Sequence, residues 1–188
     1  MAPGKAEQGI GEQLRRLRTE RNLSVRTLAG RTGFSPSFVS QVELNQASPS
    51  IASLERLAAG LAVTLGEFFG DSGPSAPAVT RAGKRRPLTS WWSRARIEAL
   101  TPGRTGWPFE AVVITITAGG ASGKRLHAHS AHQLVIVLDG DVRLTLGTEI
   151  QALRPGDAVR LDPDTLHRWD NPGRHPVRLI VVTSRLTR

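Results

Sequence analysis

The segment Leu23–Asn45, LSVRTLAGRTGFSPSFVSQVELN, constrains this chain more than any other. Ser24 stands just before an apolar-periodic run and is a natural N-cap, because its hydroxyl can accept from a backbone N–H with no partner in the helix. Leu28 and Ala29 give that run its buried side. Gly33 supplies the positive φ that ends a helix. Ser35-Pro36 then starts another. Ser35 caps it, and Pro36 occupies the first helical position, where the missing N–H costs nothing. The spacing predicts two short helices joined by a tight turn, a helix-turn-helix.

In the second helix, at about 100° per residue, Val39 and Val42 share one face and point inward. Ser37, Ser40, Gln41 and Leu44 fall opposite them, with Pro36 at the edge. That face is small and polar with one long amide. It suits close approach to a DNA groove, where Gln41 can make a bidentate contact to adenine. An ordinary solvated face has a similar composition, so the flanks decide. Ile10, Leu14, Leu17 and Arg21 mark a stripe of a preceding amphipathic helix. Ser50 caps a following helix with the stripe Leu54, Leu57, Ala58 and Leu61. Thr64-Leu65-Gly66-Glu67 is a capping-box pattern opening a last short helix that ends in Phe68-Phe69. Five helices therefore fit into roughly sixty residues.

This arrangement resembles the Cro/repressor (XRE) helix-turn-helix family over about Leu14 to Phe69. The matching residues are Leu17, Arg18, Leu28, Ala29, Gly33, Ser35, Val39, Ser40, Val42, Glu43, Pro49, Ser50, Leu54 and Leu61. Asn45 stands where the family usually has Gly, and Asn tolerates the left-handed conformation that the turn needs. The resemblance implies a double-stranded DNA operator as partner. Candidate DNA-binding residues are Ser35, Pro36, Ser37, Ser40, Gln41 and Arg26. It also assigns Arg18 and Glu43 to an internal ion pair that clamps helix orientation and reads no base. Arg15, Arg16, Arg21, Arg26 and Arg31 are each either a phosphate contact or a solvated surface cation.

The formal net charge of +9 points to an anionic partner, but its distribution qualifies that. Residues 1–72 hold 8 Lys/Arg against 7 Asp/Glu, whereas residues 73–90 hold four cations and no acid. The motif, not the global charge, marks the DNA-binding part. The absence of cysteine excludes disulfides, thiolate catalysis and a Cys-based zinc finger. Met1 to Gly9 lack the apolar run of a signal peptide, and no stretch approaches membrane-spanning length. The expectation is a soluble cytoplasmic protein with no membrane partner.

Gly70 to Ala78, GDSGPSAPA, reads as a hinge, and the pattern beyond it alternates. Val113–Thr117 reads as a strand. Gln133–Leu138 and Val142–Leu146 flank Asp139-Gly140, a hairpin signal. Pro155-Gly156-Asp157 precedes the strand Ala158–Leu161, and Asn171-Pro172-Gly173 precedes Val177–Thr183. Many short strands without a helix argue a small β-barrel or jelly roll. The fold class is thus α + β in two domains. A five-helix repressor-like domain occupies 14–69, after a flexible tail and the start of helix 1 in 1–13. A linker covers 70–87, and 88–188 is the strand-rich domain. If Trp91 and Trp92 lie on a strand, they point to opposite sides, so one can be buried and the other can serve an interface. Trp169, two residues beyond His167, can share its pocket, and structural burial is the reading for each tryptophan, Trp107 included.

All five histidines lie in the strand-rich part. His127 and His129, two apart, would share one side of a strand. With His127-x-His129-x-x-x-Gln133 and Gly140, then Gly156-Asp157, Asp162, His167 and Asn171, this region resembles the cupin family over about Leu88 to Ser184, which implies a double-stranded β-helix. Gln133 stands where the family's metal-binding Glu belongs. No cofactor is fixed by this. Either His127, His129 and His167 hold a divalent transition metal with water completing the shell, or, with Gln133, they line an effector pocket as hydrogen-bond donors. His132 and His175 read as exposed.

A repressor-type helix-turn-helix followed by a cupin resembles the one-component transcriptional regulators. The implied protein is not an enzyme. It is a homodimer, and a repressor, whose cupin domain pairs two subunits and senses an unknown small-molecule effector. Two alternatives stay open: a cupin oxygenase or isomerase carrying an autoregulatory DNA-binding domain, and an antitoxin-like repressor with no ligand.

Overall fold

The computed structural model describes residues 9–63, 65–68, 79–85, 87–90, 94–101 and 108–184. Thr64, the side chain of Glu67, Trp91, Trp92, Trp107 and the Gly70–Ala78 hinge lie outside them, so the capping-box and Trp-pair expectations do too. Among the described residues five helices come first: α1 (Gly9–Glu20), α2 (Val25–Thr32), α3 (Pro36–Glu43), α4 (Ile51–Gly60) and the single turn α5 (Leu65–Phe68). Three serines set their starts. The Ser24, Ser35 and Ser50 hydroxyls accept from the N–H groups of Thr27, Phe38 and Ser53, a contribution of about 1 kcal/mol each. Gly33 ends α2 at φ +65°, and Asn45 takes φ +56° after α3. Ile10, Leu14 and Leu17 are buried with Leu28, Val39 and Leu54, whereas Arg21 lies past the end of α1 and is exposed.

Among the described residues nine strands follow: β1 (Pro87–Ser90), β2 (Ala95–Ala99), β3 (Phe109–Ile116), β4 (Gln133–Asp139), β5 (Val142–Leu146), β6 (Glu149–Leu153), β7 (Ala158–Leu161), β8 (His167–Asp170) and β9 (Val177–Ser184). They form a two-sheet jelly roll, with a six-stranded sheet β1-β2-β3-β9-β4-β7 and a three-stranded sheet β6-β5-β8. The period of two sets what faces inward. Val135 and Val137 are buried while Leu134 and Leu138 are exposed, and Val177, Leu179 and Val181 line the same interior.

Asp139-Gly140 is not a hairpin turn. It joins β4 of one sheet to β5 of the other, after a register shift between Val137 and Asp139, and Gly140 adopts φ +74°. The left-handed residue that a tight turn needs serves equally to carry a chain across from sheet to sheet. The hairpin is one turn later, where Leu146 pairs with Glu149 around Gly147 at φ +56°.

The helices sit on the barrel. The Ala52 N–H donates to the Ser122 carbonyl at 3.2 Å, and the Leu65 N–H opening α5 donates to Glu110 Oε1 of β3 at 3.2 Å. Ala52 also lies against Gly123, where an added Cβ would come within 3.2 Å of the alanine methyl.

Candidate functional site

α3 presents Ser35, Pro36, Ser37 and Gln41 to solvent with Ser40 partly covered, while Val39 and Val42 are buried beneath them. Arg26 is exposed on α2. What holds α3 at its angle is local and charged. Arg18 Nε meets Glu43 Oε1 at 2.6 Å, Arg18 Nη2 meets Glu43 Oε2 at 3.0 Å, and Arg18 Nη1 reaches the Leu23 carbonyl at 2.7 Å. The fork is bidentate and largely buried, the geometry in which Arg and a carboxylate bind most firmly. The Glu43 hydrogen bonds raise the Arg18 pKa further. Behind it, the Gly11 N–H donates to Asn45 Oδ1 at 3.2 Å, and a Cβ on Gly11 would fall 2.5 Å from the Val42 carbonyl. α1 and α3 therefore meet backbone to backbone.

The barrel gathers some of the expected pocket residues and not others. Gln133 begins β4 on its inward face and donates to Thr183 Oγ1 at 3.3 Å. His167 and Trp169 occupy alternate, inward positions of β8, whereas Arg168 and Asp170 point outward and pair at 2.9 Å. His127 lies beside His167 through an isolated backbone bridge, with ring centroids 4.6 Å apart. His127, Gln133, His167 and Trp169 all line one small interior space.

His129 does not line that space, and it is not on a strand with His127. Its Nδ1 accepts from the Ala131 N–H at 3.0 Å, so the side chain satisfies its own loop, a competition with sheet pairing common to short polar segments. His132 and His175 are exposed. His167 Nδ1 is engaged by the Thr165 carbonyl at 2.9 Å. Among the described residues no group of three His, Cys, Asp or Glu converges to hold a metal ion. The residues thus do not fit the divalent metal that the cupin resemblance implies.

The barrel interior also receives an acidic side chain from the helical part. Ile51 and Glu55, one turn apart on α4, line the same space as His127, Gln133 and His167. Glu55 Oε2 lies 3.5 Å from His127 Nε2, and the Gln133 amide hydrogen-bonds the carboxyl. Burial pushes the Glu55 carboxyl up to about 7, against the pull of that hydrogen bond, and nearby Glu110 adds to the rise. Burial pushes His127 down to about 3, with His167 and His129 adding to it. His129 and His167 are lowered as well, mainly by burial. About 10 Å³ of free space remains, room for one water at most. No local signal marks Glu55: Ser53 and Arg56 stand close beside it, so the sequence shows one more polar position of a helix.

A helix-turn-helix domain model matches residues 10–68, and a cupin domain model matches residues 112–183. The chain is 30% identical over 168 residues to the HTH-type transcriptional regulator SutR of Escherichia coli (strain K12), covering 89% of this chain and 90% of that one. It is 24% identical over 179 residues to the HTH-type transcriptional regulator PuuR of the same organism, covering 93% and 95%. The fold is similar to the crystal structure of an HTH_3 family transcriptional regulator from Vibrio cholerae, with TM-score 0.71, 22% identity and 96% of each chain covered. Among the described residues no helix is long and apolar enough to cross a membrane.

Proposed function

We propose, for a chain that belongs to the helix-turn-helix transcriptional regulators with a C-terminal cupin domain, that the barrel senses a small molecule and reports it to the DNA-binding helices through α4. One observation carries this reading. α4 buries Leu54, Leu57 and Ala58, with its cap residue Leu61, among the helices and sends Ile51 and Glu55 into the barrel. Any ligand that prefers one setting of α4 over another shifts the population of DNA-competent chains by its differential affinity.

In this reading residues 14–69 bind the operator, 70–87 join the parts and 88–188 sense. Ser35, Pro36, Ser37, Ser40 and Gln41 face the groove, with Arg26 at the phosphates. Two copies bind together in the cytoplasm, because one short recognition helix covers too little DNA for tight specific binding. The space around His127, Gln133 and His167, about 10 Å³, admits neither an organic substrate nor an effector, so this reading takes the effector at the edge of the barrel and not within that space.

The test starts from genome-wide mapping of the DNA that the full chain binds, followed by affinity measurements on the recovered fragment. Gln133→Leu removes the barrel side chain that bonds Glu55 of α4 and leaves the DNA-facing residues of α3 untouched. An operator affinity changed several-fold supports coupling; an unchanged affinity, in a variant that remains folded, overturns it.

A further inference from the structure

A cleft of about 690 Å³ lies between the helices and the mouth of the barrel. Its size falls in the range of small-molecule sites, roughly 300–1,000 Å³. Its charge is one-sided. Arg56 of α4 lines one wall, and Arg94, Lys124, Arg125 and Arg168 line the other, against the single carboxylate Asp170. Asp170 is already bound to Arg168.

The contacts of Arg56 and Arg94 leave their positive charge in place. Arg56 bonds the Thr32 carbonyl and lies 4.3 Å over the Phe34 ring. Arg94 Nη1 reaches the Ala118 carbonyl at 3.2 Å, and Arg168 Nη1 reaches the Lys124 carbonyl at 3.3 Å. Neutral carbonyls position a guanidinium without cancelling it, so its remaining donors can take a carboxylate or phosphate. Ser50 and Ser53 also line the cleft, so the first turn of α4 opens on it and adds the positive end of a helix dipole. His127 lines both this cleft and the barrel interior, which puts the cleft next to the Glu55 contact.

The geometry points to this cleft as a site for a small organic polyanion, either a polycarboxylate or a phosphate-bearing molecule. This rests on the sensing reading and places the effector at the seam between the two parts. A ligand held by Arg56 on one side and Lys124 and Arg125 on the other fixes α4 against the barrel. A compact ligand suits the space better than a DNA backbone, because α4 and the barrel rim close it on two sides.

The full chain is titrated calorimetrically with citrate and, separately, with pyrophosphate at constant ionic strength. Operator affinity is measured with and without each anion. Wild type is compared with Lys124→Glu/Arg125→Glu, with Arg125→Glu alone in case the double variant folds poorly, and with Arg143→Glu, an exposed cation of β5 that does not line the cleft. The expected result is saturable binding of one anion per chain, about tenfold weaker in the cleft variants and unchanged in Arg143→Glu. Citrate alone binding assigns a polycarboxylate, and pyrophosphate alone a phosphate-bearing ligand. Absence of saturable binding, or equal weakening in Arg143→Glu, overturns the site. So does a loss of operator affinity in the cleft variants with no anion present and none in Arg143→Glu, since the cleft wall is then a DNA contact. Anion binding that leaves operator affinity unchanged upholds the site and sinks the sensing reading. A neutral compound that shifts operator affinity while neither anion binds does the reverse.

Discussion

Glu55 of α4 and His127 of the barrel approach to 3.5 Å across the junction of the two halves, with both side chains buried. Each environment disfavours the charged form. The carboxyl is pushed up to about 7 and the imidazole down to about 3, so at mildly acidic pH the contact is between two neutral groups. Among the described residues Glu55 Oε2 has no hydrogen-bond partner, so the carboxyl is not fully satisfied.

The sign of the pH dependence follows. An acid whose folded pKa exceeds its unfolded value binds more protons when folded, so its ionisation lowers stability as pH climbs from about 4.5 to about 7. Glu55→Gln removes that loss. The variant should exceed wild type by on the order of 3 kcal/mol at pH 8 and by less than about 1 kcal/mol at pH 5. Urea unfolding at both pH values checks this. A variant less stable than wild type at pH 8 would mean that the carboxylate is held ionised by partners strong enough to outweigh burial.

Gln41→Ala should weaken operator binding by about 1–3 kcal/mol and relax selectivity at one base pair per half-site. Affinity measurements on operator variants give both numbers. If Gln41→Ala combined with Ser37→Ala changes neither affinity nor selectivity, α3 is not the reading helix.

Arg18→Ala should destabilise the helical part by about 3–5 kcal/mol, because it strands the Glu43 carboxylate in a largely buried site. Arg18→Met with Glu43→Leu should cost less than Arg18→Ala alone. Thermal unfolding of the single and double variants separates the cost of an orphaned charge from the worth of the pair. A double variant as unstable as the single one would show that shape, not charge, is what matters there.

The full chain should run as a dimer in light scattering and bind half-sites about 10–10.5 bp apart, or a multiple of that spacing. A monomer that holds one unrepeated half-site at full affinity contradicts this.

Helix starts were legible because their causes are local. Ser24, Ser35 and Ser50 each cap an N–H three residues on, and sequence displays that spacing directly. Gly33 and Asn45 were legible for the same reason. Sheet partners were not. Asp139-Gly140 has the composition of a hairpin turn, but whether the next strand folds back or crosses depends on β9 and β7, which take both flanks of β4. His127 and His129 failed similarly, since shared sidedness assumes a strand, and the Ala131 N–H captures His129 instead. Glu55 reads as an acid on a surface helix until the barrel is placed over it.

The double burial of α4 bears on how such proteins can be recombined. A cut at the Gly70–Ala78 segment looks like a clean joint between modules, yet it would leave Ile51 uncovered on one fragment and His127 without Glu55 on the other. A chimera that grafts this barrel onto foreign DNA-binding helices should therefore carry Ile51, Ala52 and Glu55 with it. The unit of exchange is the barrel together with one face of a helix that sequence boundaries assign elsewhere.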